Sequence, residues 1–187
     1  MAIIATRIDG RLIHGQVANL WTGKLNISRI MVIDDEVAQN DIEKQGLKLA
    51  CPPGVKLSIL PVQKAAENIL AGKYDSQRLL IVARYPERFL RLVEAGVPLA
   101  EVNVGNMSQN PETRSVTRSI NVVDKDGNAL IKNDNITITI ADTNIIADAA
   151  TASGWSSLLR SPPFRSSIRP NKSEKWDTLV AVPPAIP

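Results

Sequence analysis

The chain predicts an α/β protein with an open, mostly parallel central sheet of about seven strands, helices on both faces and an irregular C-terminal tail. Three observations carry that expectation. Short β-rich runs alternate with helical patterns up to about residue 142, the order that produces parallel strands joined by helical crossovers. Several of those runs are apolar without alternation, as strands covered on both faces read. Glycines and prolines fall where the helical patterns start and stop.

In chain order, 2–8 is the first apolar run, and 16–24 reads as a helix ending at Gly23-Lys24. The run 29–34, Arg-Ile-Met-Val-Ile-Asp, predicts a continuous apolar strand. Helical spacing of Ile42, Leu47 and Leu49 marks 40–50, and Pro52-Pro53-Gly54 then breaks the chain. A third strand at 55–60 leads to a helix over 62–71, closed by Gly72 as the C′ residue. The fourth strand, 78–84, precedes a helix over 86–95 with proline in its first turn and Gly96 after its end. Runs at 101–104, 119–123 and 135–141 predict the fifth, sixth and seventh strands, the last from the alternation Ile136-Thr-Ile-Thr-Ile140.

A length of 187 residues suits one domain able to bury a single core without metal or disulfide staples. The net charge of +3 is mostly a property of the tail: residues 1–142 hold 17 basic against 16 acidic side chains, and residues 143–187 hold 5 against 3. With seven aromatics and no basic stripe, nucleic acid is excluded as a partner. Cys51 is the only cysteine, so no intramolecular disulfide and no cysteine-based metal site can form, and it reads as a small apolar residue. Met1 to Arg7 lacks the basic and apolar regions of a signal peptide. No run approaches the roughly 18 apolar residues of a membrane-spanning helix, and a cytoplasmic protein is expected.

The only histidine, His14, follows the first apolar run in Arg7-Ile-Asp-Gly-Arg-Leu-Ile-His-Gly-Gln-Val17. A neutral imidazole nitrogen can attack phosphorus, accept a proton or bind a metal near neutral pH. Open parallel sheets bind ligands outside the carboxyl ends of their strands, where loops enter helix N-termini. If the helix begins near Gly15, the amides of His14, Gly15 and Gln16 and the guanidinium of Arg11 converge on one anion. Each charge-assisted hydrogen bond of this kind is worth roughly 1.5–3 kcal/mol. Asp9 either fixes the histidine tautomer, as orienting carboxylates do, or positions Arg11 through a salt bridge.

The run from Arg7 to Val17, with Trp21 shortly after, resembles the phosphorylation-site segment of enzyme IIB from the mannose/sorbose family of the sugar phosphotransferase system. Three further runs resemble that family in the same order: Val32-Ile-Asp34-Asp35-Glu-Val-Ala, Ala50-Cys-Pro52-Pro53-Gly54-Val and Val102-Asn103-Val-Gly105-Asn106-Met107. The resemblance implies a phosphocarrier that accepts a phosphoryl group from a phosphohistidine on a IIA protein or domain. It would pass that group to a sugar entering through the membrane IIC and IID components.

On that resemblance His14 is the phosphorylated nucleophile, Arg11 stabilises the phosphoryl group and Asp9 is the orienting carboxylate. Arg7, Gly15 and Gln16 are its phosphate-binding companions. The resemblance implies no metal and no cofactor, a cytoplasmic location at the periphery of the membrane transporter, and room for a homodimer. Asp34 and Asp35 either line the site or cap the next helix. Residues 103–108 are either a tight loop facing the phosphate, with Gly105 and Asn106 at φ > 0, or a structural turn. Trp21 reads as core or as partner-facing apolar surface.

The resemblance covers roughly residues 2–126, so the expected organisation is a IIB domain over 1–142 and an atypical tail over 143–187. Residues 126–135 are only weakly helical, and the tail holds six of the twelve prolines and two of the three tryptophans. It reads as an altered C-terminus or an extension. The alternatives to a phosphocarrier are a binding or regulatory module on the same fold and a partly defective IIB. A nucleotide-binding enzyme would need a run such as Gly-x-Gly-x-x-Gly after the first strand, and Asp9-Gly-Arg-Leu-Ile-His-Gly15 is not one.

Overall fold

The computed structural model describes residues 3–115 and 117–123, and the strands Thr137–Ile140 and Ala149–Ala150. The main sheet is built from β1 (Ile3–Asp9), β2 (Arg29–Ile33), β3 (Lys56–Leu60), β4 (Leu79–Ala83), β5 (Glu101–Asn106), β8 (Thr137–Ile140) and β9 (Ala149–Ala150). Their order is β3-β2-β4-β1-β5-β8-β9. The first six run parallel, and β9 closes the edge antiparallel to β8. Two short strands, β6 (Arg114–Ser115) and β7 (Asn121–Val122), form a separate antiparallel ribbon.

The unbroken apolar strands do what their pattern implies, burying alternate side chains in two cores. Along β4 every residue is buried. Leu79, Ile81 and Ala83 face a core with α3 (Val62–Leu70) and α4 (Pro86–Glu94), while Leu80 and Val82 face a second core. That second core is completed by a helical run over residues 16–24 and by Leu47 of α2 (Asp41–Ala50). The run over 16–24 is a π-helical segment, Gln16–Trp21, followed by one turn of α-helix, α1 (Thr22–Lys24). The crossover leaving β1 thus lies on one face and α4, leaving β4, on the other. Adjacent strands whose connections part to opposite faces leave a crevice at their carboxyl ends.

Helix boundaries follow local chemistry. Asn40 caps α2, its side chain accepting from the N–H groups of Ile42 and Glu43. Gly72 at φ 70° and Gly96 at φ 94° end α3 and α4. At Gly96 the N–H of Val97 reaches Leu92 and that of Gly96 reaches Val93, the paired bonds of a Schellman motif. Asp34 and Asp35 are capping residues too. Asp34 Oδ1 accepts from the N–H groups of Glu36 and Val37, and Asp35 Oδ1 accepts from Val62 at the start of α3.

Three expectations need correction. The run 119–123 meets the main sheet only through a single parallel bridge between Ile120 and Met107, just past β5, and its strand, Asn121–Val122, pairs instead with Arg114–Ser115. With two residues a side, that ladder is too short to serve as a crossover strand. The run 103–108 is not a loop, because β5 continues through Asn106 and neither Gly105 nor Asn106 has positive φ. The helix over 16–24 opens as a π-helix rather than an α-helix, a form common at functional sites. The weakly helical stretch expected over 126–135 and the tail expected over 143–187, apart from the strand Ala149–Ala150, lie outside the described residues.

Candidate functional site

The site forms where β1 ends. Asp9 is its last residue and is fully buried, and the chain then turns sharply, the N–H of Leu12 bonding back to the Asp9 carbonyl at 2.9 Å. Leu12 sits at φ 56°, a left-handed conformation that costs a residue with a Cβ about 1–3 kcal/mol. It is held there because its side chain is buried in the core beneath the π-helix. That turn brings His14 back over the strand end, with its Nε2 2.8 Å from Asp9 Oδ2.

Asp9 is the hub. Its Oδ2 also accepts from Arg7 Nε at 3.1 Å and from Arg7 Nη2 at 2.9 Å, and its Oδ1 accepts from the N–H of Arg11 at 3.1 Å. A carboxylate with so many donors is fixed in orientation. An ionised Asp9 only accepts, so His14 donates from Nε2–H and the lone pair of the imidazole lies on Nδ1. The His14 side chain is 18% exposed. The ring is therefore anchored by one nitrogen and reachable at its edge.

Arg7 lies lower than the sequence reading put it. Its guanidinium is 3% exposed, held from one side by Asp9 and from the other by Asn103 Oδ1 at 2.9 Å. Trp21 lies against it, the ring centroid 5.1 Å from Cζ, within cation–π range. Burial pulls the Arg7 guanidinium below its ordinary value, opposed by the Asp9 charge and hydrogen bond, yet an arginine stays protonated. Its donors face Asp9 and Asn103 rather than the loop surface. Arg11 is the opposite case: 56% exposed, its Nε is 3.8 Å from Asp9 Oδ1, and its head is open to solvent.

The loop continues into the helix without a side-chain cap. Gly15 occupies the cap position in right-handed helical geometry, and Ala18 N–H makes its bond to the His14 carbonyl at 2.7 Å. The N–H groups of Gly15 and Gln16 precede that bond, so the helix end stands directly behind the histidine. On the other side, Gly10 donates to the Asn106 carbonyl at 2.9 Å. Gly10, Arg84, Arg88, Ser108 and Asn121 line a cavity of about 480 Å³ at the carboxyl ends of β1, β4 and β5.

The structure thus brings together Arg7, Asp9, Arg11 and His14, with the backbone of Gly15 and Gln16 at the adjoining helix end. Three residues of this assembly do more than the sequence assigned them. Asn103 is the register partner of Arg7 in the β1–β5 pairing and bonds its guanidinium. Trp21 serves as core and as the aromatic wall for that cation. Gly105 is the third: a Cβ there would overlap Cζ and both terminal nitrogens of Arg7. A glycine inside a strand signals the close approach of another group, and that signal was present in the run Asn103-Val-Gly105.

An open parallel α/β sheet with a carboxylate-anchored histidine in the loop after a central strand defines a histidine-centred site at the sheet's carboxyl edge. Comparison with known proteins assigns it further. Residues 3–163 match the family described as the sorbose subfamily IIB component of the phosphotransferase system, and the chain belongs to that family. It is 40% identical over 132 residues to the mannose-specific EIIAB component of Escherichia coli K12, covering 71% of this chain and 41% of that protein. The chain thus spans about two fifths of the length of that relative. It is 34% identical over 126 residues to the fructose-specific EIIB component of Bacillus subtilis, covering 67% of this chain and 77% of the relative. Among solved structures, the IIB domain of the sorbose permease from Klebsiella pneumoniae superposes with a TM-score of 0.77 at 26% identity, covering 84% of this chain and 97% of that one. Among the described residues no helix is long and apolar enough to cross a membrane.

Proposed function

We propose that this protein is a phosphocarrier, a protein-histidine phosphotransferase that takes a phosphoryl group onto His14 from a phosphohistidine of a IIA partner. It then delivers the group to a sugar taken up through membrane IIC and IID components, working at the cytoplasmic periphery of that transporter. The observation that carries this reading is the 2.8 Å contact between His14 Nε2 and the buried Asp9. It leaves Nδ1 as the nucleophile.

In the first transfer Nδ1 of His14 attacks phosphorus in line as the bond from phosphorus to the donor imidazole breaks, and the electron pair returns to the donor ring. Positive charge develops on the His14 ring, and Asp9, already oriented, stabilises it without reorganising. Arg11, being exposed and loosely held, swings onto the phosphoryl oxygens, and the N–H groups of Gly15 and Gln16 add the helix-end field. Arg7 positions rather than binds: it locks Asp9, which locks the ring. In the second transfer a sugar hydroxyl oxygen attacks phosphorus and gives up its proton to solvent, while the Nδ1–P bond breaks with its electron pair returning to Nδ1, so the ring regains its neutral state with the proton on Nε2.

The test is incubation with phosphoenolpyruvate, the general phosphotransferase proteins and a IIA partner of verified activity. The expected product is an acid-labile, base-stable phosphate on the wild type, absent from His14→Ala and placed on Nδ1 by NMR of the ring nitrogens. A wild-type chain that takes no label overturns the reading and leaves a binding or regulatory module. Label on Nε2 overturns the assigned geometry alone.

A further inference from the structure

Helix α2 turns to solvent a face that is not used in the packing of the described residues. Ile42 and Leu49 are 83% and 88% exposed, although Leu47 of the same helix is buried. Seven residues apart, they stand two turns above one another on one side of the helix. Gly46 lies in the middle of the same exposed surface, in ordinary helical conformation, and a Cβ there would meet nothing. Unlike Gly105, then, Gly46 is not required by any neighbour, yet a mid-helix glycine weakens a helix relative to alanine. What it does provide is a low surface over which another backbone can come close.

The charges flanking this face have an order. Asp41 stands at the N-terminal end, 84% exposed and ion-paired with Lys44 of its own turn. Lys48 stands two turns on, on the same flank as Asp41, exposed and without an ion-pair partner among the described residues. An acid at one end and a base at the other make the face complementary to itself, but only when two such helices run in opposite directions. Laid parallel, like would meet like.

We propose that the Ile42/Leu49 face of α2 is the contact surface of a homodimer in which the α2 helices of two copies pack antiparallel about a twofold axis near Gln45 and Gly46. That axis sets Ile42 against the partner's Leu49 and Leu49 against the partner's Ile42. It places Asp41 within a lysine's reach of the partner's Lys48, twice over, as the symmetry of an isologous interface demands. One helix face per copy is a small contact, so the dimer is a transient one, with a Kd on the order of tens of micromolar. This pairing does not depend on the phosphoryl chemistry at His14.

Sedimentation velocity of the full chain from about 5 to 500 µM, a range bracketing that Kd, tests it. The wild type should pass from monomer to dimer mass across that range. Leu49→Glu should keep the far-ultraviolet circular dichroism and urea midpoint of the wild type and remain monomeric at least about tenfold further up the concentration axis. Asp41→Lys and Lys48→Asp should each weaken self-association, while an equimolar mixture of the two restores it, since every flank then carries opposite charges. Three results overturn the proposal: a wild type that stays monomeric throughout, self-association that ignores Leu49→Glu, or a mixture that associates no better than its separate components.

Discussion

Replacing Gly105 with alanine isolates the contact that fixes the histidine from below. The new methyl group would occupy the volume of the Arg7 guanidinium, and the guanidinium cannot yield cheaply. Asp9 holds it through two N–H groups, Asn103 through a third, and Trp21 lies against it. Driving it off leaves Asp9, fully buried, without its countercharge. Parting a buried ion pair costs about 3–5 kcal/mol, from which up to about 1 kcal/mol is recovered because alanine suits a strand better than glycine. A net loss of about 2–4 kcal/mol lowers Tm by about 5–15 °C at this chain length, and moves the urea midpoint by about 1–2 M. The urea midpoint, followed by circular dichroism, should be measured in the wild type and in an Arg7→Ala/Asp9→Asn background, where the clash and the buried charge are both gone. There Gly105→Ala should cost nothing measurable, giving a coupling of at least about 2 kcal/mol. Equal losses in both backgrounds, or no loss in the wild type, would refute the argument that Gly105 exists for Arg7.

Other substitutions probe the site and the fold separately. Arg11→Gln should leave Tm within about 2 °C, because the side chain is mostly exposed and surface pairs contribute little. It should slow phosphoryl transfer by about 10- to 100-fold, the value of one charge-assisted bond, and unchanged single-turnover kinetics would remove Arg11 from the mechanism. Leu12→Gly should be at least as stable as Leu12→Ala, the reverse of the usual order, since φ 56° penalises any Cβ; urea titration of the pair checks this. Asp35 is pushed up by burial, but hydrogen bonds from Arg91 and from the N–H of Val62 outweigh that and hold it below its ordinary value. Its contribution is therefore complete above the unfolded-state value, near pH 4, and fades as pH falls through the lower folded-state value. Asp35→Asn, which keeps an acceptor for Val62, should cost no more than about 1 kcal/mol at pH 7 and flatten the acid limb of stability against pH. An unaltered limb would count against the Arg91 pair.

Much of this architecture was legible because its causes are local. The expected strand at 29–34 is realised as Arg29–Ile33, and the expected helices at 62–71 and 86–95 as Val62–Leu70 and Pro86–Glu94. The strand is marked by its own unbroken apolar run, and each helix is bounded by a proline and a glycine whose backbone preferences act on their neighbours alone. The loop after β1 was legible for the same reason, since Asp9, Arg11 and His14 lie within six residues. What could not be read was set by pairing across the sheet. Arg7 meets Asn103 only because β1 and β5 are adjacent in that register, and Gly105 looks like a turn residue until the guanidinium above it is known. Asn121–Val122 lay within the strand expected at 119–123, but its partner Arg114–Ser115 escaped because a two-residue strand leaves no periodicity to detect. The π-helical opening at Gln16 has no compositional mark.

The neutral pairing of Arg7 with Asp9 has an energetic consequence for a relay. A carrier between two partners must be a shallow well: a site that grips its passenger tightly accepts it readily and then stalls. The strongest fixed cation beneath His14 is already balanced by a carboxylate and faces away from the loop surface. It therefore orders the ring while adding little attraction for an arriving dianion. In the proposed relay the attraction would rest with Arg11, whose side chain is 56% exposed. On the proposed relay, the machinery that orients the nucleophile and the machinery that holds the cargo are separate, so the first can be rigid while the second stays reversible.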